Sequence, residues 1–225
     1  MFWAAPGFAF PVDAVKWSGQ TCCMTAMSSA PRSVRESLLE AVRAELIEHG
    51  RASISLRAVA RRAGVSHASP TYFFRDKAGM LTVLATEGFR ALTESLRAVR
   101  QAAEPQPLAA VGHAYIDFGL QHAALFDLMF SPADLRADDP ELQQAQRDAI
   151  SELTSAVAEI AGGGSTTSRG TPQMSLISWA LAHGLVVLAR DGALQAATGA
   201  GSPSDAARIA KDLTDAFDAR VTTTE

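Results

Sequence analysis

The fold turns on residues 55–77, which read SLRAVARRAGVSHASPTYFFRDK. Leu56, Val59, Ala60 and Ala63 recur at three- and four-residue steps, the spacing of one helix face. Ser55 stands ahead of them as an N-cap, and Gly64 follows as a stop that tolerates a left-handed backbone. Val65 can plug the gap to a second short helix running from Ser66 to about Phe74. Two short helices joined by a glycine-centred turn make a helix-turn-helix. Ser66 can cap the second helix and leave His67, Ala68 and Ser69 in its first turn, small or polar, able with Ser66 to approach base edges. Ser55, Arg57, Thr71, Tyr72 and Lys77 are donors placed to hold phosphates on either side. Pro70 leaves two frames open. Capped by Ser66, the helix has proline fourth and loses its first internal hydrogen bond; capped by Ser69, it has proline at the favoured first position.

Upstream, Val34, Leu38, Val42, Leu46 and Ile47 predict a helix that starts at Ser33 and stops at Gly50. Downstream, Asp76 caps a long helix carrying Met80, Leu81, Leu84, Phe89, Leu92, Leu96 and Val99, broken by Pro105 and Pro107. Further helical patterns cover about 108–121, 123–130, 140–160, 172–191 and 204–221. Gly/Ser/Thr-rich loops separate the last three, at 162–171 and 199–204. No strand pattern and no repeat is present. The expected fold is all-α with about nine helices: a three-helix helix-turn-helix domain over 32–80, then a larger helical domain over 81–225. Residues 1–31 mix aromatic residues with Gly, Pro and Ser at no stable period. They read as a disordered or mis-annotated leader, with Met24 or Met27 as the natural start.

Composition narrows the function. Hydrophobic residues make up 48% of the 225, and charged residues 20%, which is globular and not disordered. Cys22 and Cys23 are adjacent and cannot staple a secreted scaffold. No run of about 18 apolar residues predicts a membrane span. Asp13 and Lys16 interrupt the apolar start, which lacks a basic lead-in, so no signal peptide is expected and the cytoplasm is the expected compartment. Residues 32–100 hold twelve Arg and Lys against seven Asp and Glu, a balance of +5, while the rest of the chain stands at −9. A basic segment joined to an acidic remainder suits a polyanion-binding part beside a part with another task. No G-x-S-x-G elbow or H-E-x-x-H pair occurs. Gly162–Gly164 follows a helix and lacks the lysine of a phosphate loop, so neither an enzyme nor a cofactor is expected. His113 and Asp117, four apart, supply two ligands where a metal site needs three or four.

Ala63-Gly64-Val65-Ser66 followed by Phe74, Asp76, Lys77 and Leu81 resembles the DNA-binding domain of the TetR family of transcriptional regulators. The resemblance runs over residues 33–90 without a gap. It departs from the family pattern at Thr71, where tyrosine is common, and at Phe73, where histidine is common. Trp179-x-x-x-His183-Gly184, together with Tyr115–Phe118 and His122–Phe130, resembles one C-terminal class of the same family. The resemblance implies a homodimeric repressor that releases double-stranded operator DNA when a small, hydrophobic effector binds. Phe89, Leu92, Tyr115, Phe118, Phe126, Met129, Phe130, Trp179 and His183 would line the effector cavity. The helices at about 172–191 and 204–221 would pair with their copies, an expectation that the apolar stripe Ile209, Leu213 and Phe217 supports. Two recognition helices about 34–36 Å apart would then read a near-palindrome. Three other readings stay open, in this order: a DNA-binding protein without an effector, a ligand-binding protein without specific DNA recognition, and an enzyme such as a small-molecule hydrolase, against which the missing catalytic constellation counts.

Overall fold

A computed structural model describes residues 33–102, 108–160 and 170–222. The expected leader over 1–31, both interrupting prolines and the Gly162–Gly164 run lie outside the described residues. Ten α-helices and one 3-10 turn are present among the described residues: α1 (Val34–Ser53), α2 (Leu56–Arg62), α3 (Ser69–Phe74), α4 (Lys77–Arg100), α5 (Leu108–Gln121), α6 (Ala123–Met129), the turn Pro132–Asp134, α7 (Pro140–Ile160), α8 (Gly170–Arg190), α9 (Ala193–Thr198) and α10 (Pro203–Thr222). The helix beyond the expected nine is α9. Leu194 is its only buried residue, too little for a periodic signal, and left-handed Gly192 and Gly199 bound it.

Helix starts follow side-chain chemistry. Ser33 and Glu36 form a capping box: the Ser33 Oγ accepts from the Glu36 amide at 3.2 Å, and the Glu36 carboxylate accepts from the Ser33 amide at 2.9 Å. Asp76 caps α4, its carboxylate accepting from the Gly79 amide at 2.8 Å. Gly50 breaks α1 as expected, with φ 70° and ψ 165°, but one further turn follows to Ser53.

α4 is the spine. Leu84, Leu92 and Leu96 on it are fully buried, and it packs on α5, α6 and α7. Close approach to α6 requires Gly88, since a Cβ there would stand 2.7 Å from Met129 Sδ. α5, α8 and α10 pack together, and α5 joins them to α4. Near the start of α4, the Arg136 guanidinium pairs with Asp76 at 2.7 Å, and the Arg136 amide donates to Thr82 Oγ1 at 2.9 Å. Asp134 pairs with Arg51 at the end of α1. The segment between α6 and α7 therefore straps the body to α1 and to the start of α4. Both links span more than fifty residues of sequence, so no local pattern announces them.

Candidate DNA-binding surface and ligand cavity

α2, its turn and α3 have helix-turn-helix geometry. Gly64 is left-handed at φ 68°, its amide donates to the Arg61 carbonyl at 3.2 Å, and the Val65 amide donates to the Ala60 carbonyl at 3.1 Å. That pair of bonds is the Schellman closure a C-terminal glycine permits. Neither sequence frame for Pro70 holds. Ser66 Oγ accepts from the Ala68 amide at 3.3 Å and shapes the turn, while α3 is capped at Ala68 and has buried Pro70 as its second residue. Proline is tolerated there because the first-turn amides lack intrahelical partners anyway. Ser66, His67 and Ala68 consequently stand exposed in the turn ahead of α3 and not in its first helical turn.

The other expected DNA-facing residues lie around this turn. Ser55 Oγ caps α2 by accepting from the Ala58 amide at 3.2 Å, and Arg57 is exposed on the first turn. Ser69 is half-buried; Thr71 and Tyr72 are exposed, Tyr72 to 83%. Tyr72 and Phe73 meet edge to face at 5.1 Å. Lys77 is half-buried, and its Nζ donates to the Ala52 carbonyl at 3.3 Å. The two neighbouring arginines part company: Arg61 is exposed, whereas Arg62 is held by Glu45 at 2.8 Å and by Glu48. The Arg62 bonds hold the Glu48 carboxyl below its usual range. Arg75 closes α3 with φ 71° and ψ −53°, the Asp76 amide reaching back to the Phe74 carbonyl at 2.9 Å.

A cavity of about 220 Å³ lies in the body, walled by Phe89 and Leu92 of α4, Tyr115 of α5, Trp179 of α8, and Phe130. Its fourth side is α7, through Gln146, Ala149, Ile150 and Leu153. The expected residues Phe89, Leu92, Tyr115 and Trp179 are thus brought together, with Phe130. Met129 instead lies against Gly88 and lines a second cavity, of about 250 Å³, that shares Phe130 and Gln146 with the first. Phe126 and His183 stand behind Tyr115, and Phe118 packs against His122 at 4.8 Å. The α7 wall was missed by reading aromatic residues alone; its signal is the 146, 149, 150, 153 spacing of one helix face.

The polar tips behind the wall satisfy one another. Trp179 Nε1 donates to Tyr115 Oη at 3.1 Å, and Tyr115 Oη lies 3.0 Å from His183 Nδ1. Which of the two carries the shared proton follows the imidazole tautomer, and the hydroxyl can serve either way, since its oxygen has two lone pairs. Burial lowers the His183 pKa, with the Arg190 charge acting the same way, and burial raises that of Tyr115. Both rings are therefore neutral near pH 7. His113 and Asp117 turn towards α10, His113 to Asp215 at 2.9 Å and Asp117 to Lys211 at 2.7 Å. No group of three or more metal-ligating side chains occurs among the described residues.

A helix-turn-helix joined through one long helix to an apolar cavity defines a class of one-component regulator. Residues 38–84 match the family described as bacterial regulatory proteins, tetR family, and residues 108–217 match the tetracyclin repressor-like C-terminal domain. The chain belongs to the TetR family. Solved structures agree on the fold. A protein of unknown function from Rhodococcus sp. RHA1 is 29% identical, with a TM-score of 0.68 over 81% of this chain and 94% of that one. PfmR, a TetR family transcriptional regulator from Thermus thermophilus, is 14% identical, with a TM-score of 0.59 over 83% and 96%. SmeT, the repressor of the Stenotrophomonas maltophilia multidrug efflux pump SmeDEF, is 17% identical, with a TM-score of 0.57 over 83% and 90%. No curated protein matches the chain. No helix among the described residues is long and apolar enough to cross a membrane.

Proposed function

We propose that the protein is a homodimeric, non-catalytic repressor that lets go of a near-palindromic operator when a small apolar effector fills the cavity. Residues 32–80 hold DNA in this reading, and residues 81–225 hold the effector and the partner subunit. Ser66, His67, Ala68 and Ser69 approach base edges, while Ser55, Arg57, Thr71, Tyr72 and Lys77 face phosphates.

The observation that carries the reading is the course of α4. It begins three residues beyond α3 and reaches the cavity wall at Phe89 and Leu92 within one continuous helix. At 1.5 Å per residue, its 24 residues span about 36 Å. A ligand that tilts the helix at Leu92 therefore changes the separation of the two recognition helices in the dimer. Derepression requires the ligand to favour the released state by several kcal/mol, and to bind the two states unequally.

The test is fluorescence anisotropy of the protein on DNA from upstream of its own gene, against a scrambled duplex, across a salt series. Specific recognition predicts a preference of at least about a thousandfold. Equal, salt-labile binding to both duplexes would reduce the basic segment to a phosphate grip on that DNA.

A further inference from the structure

The class of effector can be read from the cavity wall, taking the ligand-responsive reading above as its basis. The wall is made of carbon. Among its lining residues, only Gln146, Tyr115 and Trp179 carry side-chain polar atoms, and none carries a charge. Tyr115 and Trp179 are spent on each other and on His183. Gln146 is different: its amide has no hydrogen-bond partner among the described residues. It stands on α7 at the partition between the two cavities, half-buried, with a donor and an acceptor both available.

Volume sets the scale of the occupant. A dry cavity of about 150 Å³ lined by aliphatic and aromatic side chains takes benzene. The space here is about half as large again, about 220 Å³. That is the bulk of two fused rings with one small substituent. Phe89, Phe130 and Trp179 offer faces and edges to a flat ring system. An ionised ligand would lose its hydration without gaining a counter-charge on this wall.

We infer that the cavity takes a small neutral aromatic compound, of one or two rings, whose single hydroxyl or amide-like group hydrogen-bonds to the Gln146 side chain. The ring supplies most of the affinity through apolar contact, and Gln146 sets its orientation and its selectivity.

The probes are 2-naphthol, naphthalene and 2-naphthoate, titrated by calorimetry into the full-length protein. The expected order places 2-naphthol about three- to tenfold tighter than naphthalene, the gain of one neutral hydrogen bond. 2-Naphthoate binds weakest. Gln146→Leu removes the preference for 2-naphthol while retaining naphthalene, and Ala149→Phe, which fills the cavity, abolishes binding of both neutral probes. Tightest binding by 2-naphthoate would overturn the neutral class, and an undiminished naphthol preference in Gln146→Leu would overturn the anchor. Either result leaves the ligand-responsive reading standing. Absence of binding by all three probes overturns that reading's cavity as well.

Discussion

Tyr115 carries two hydrogen bonds on one buried hydroxyl, and its removal strands both neighbours. In Tyr115→Phe the Trp179 N–H and the His183 nitrogen lose their partner at once, while the ring and its packing against Phe126 are kept. A loss of about 1–3 kcal/mol in urea unfolding is expected, the cost of buried polar groups left unpaired. His183 also sets a pH dependence. Its folded pKa is held below the ordinary value, so the unfolded chain takes up its proton first as pH falls. This contribution is complete above about pH 6.5 and is lost progressively on acidification through the folded pKa. His183→Asn offers an acceptor oxygen in place of Nδ1 and does not titrate. The fall in Tm between pH 7 and pH 5 is expected to be smaller in that variant, with His122, also lowered by burial, supplying the remainder. On the DNA side, His67→Ala is expected to cost about 1–3 kcal/mol on operator and to relax sequence preference, whereas Lys77→Ala weakens all sequences alike. Anisotropy on operator and scrambled duplexes separates the two; equal losses on both duplexes in both variants would refute the role assignments.

The junction of α3 and α4 depends on one missing methyl group. A Cβ on Gly79 would stand 2.2 Å from the Phe74 carbonyl, and 3.2 Å from the Arg136 guanidinium on the other side. Backbone cannot yield as a flexible side chain does, so Gly79→Ala should displace α3 from α4. A loss of about 1–3 kcal/mol or more and a marked fall in operator affinity are expected, measured by unfolding and by anisotropy. Gly88→Ala meets only side chains, those of Met129 and Leu125, and should cost less. These contacts mark the limit of what sequence alone conveys. Gly64 announced its turn because a left-handed residue between two apolar stripes has few alternatives. Asp76 announced the start of α4 for a similarly local reason. The frame of α3 stayed hidden because Ser66 and Ser69 are both competent caps, and the Ser66 hydroxyl went to the turn instead. The strap through Asp134 and Arg136 was hidden because its partners, Arg51 and Asp76, are distant in sequence. The aromatic half of the cavity was legible from residue type, whereas Gln146 was not, since a half-exposed glutamine on an amphipathic helix ordinarily means nothing.

The subunit leaves an apolar ridge uncovered along α8. Leu176 is 59% exposed, Ile177 is 50% exposed, and Leu188 is also exposed, with Ala180 and Gly184 between them; Leu213 adds an exposed apolar position on α10. A Cβ at Gly184 would meet nothing within 4 Å, so no contact inside this subunit requires glycine there. Small residues in the middle of an apolar face let a second helix approach closely, and a two-fold axis would place the partner's α8 against it. Burying the ridge in a four-helix contact of α8 and α10 with their copies removes a patch that water would otherwise wet. The same contact would set the spacing of the two helix-turn-helix units on DNA. Leu176→Glu combined with Leu188→Glu places two charges on that face, on side chains that line neither cavity. The expected outcome is a folded monomer by sedimentation, with helical circular dichroism and 2-naphthol binding retained. Operator affinity should then fall by roughly 10²–10⁴, the advantage of two linked half-site contacts over one. A variant that stays dimeric would place the interface on another face, and a monomer that keeps full operator affinity would show that one subunit suffices for recognition.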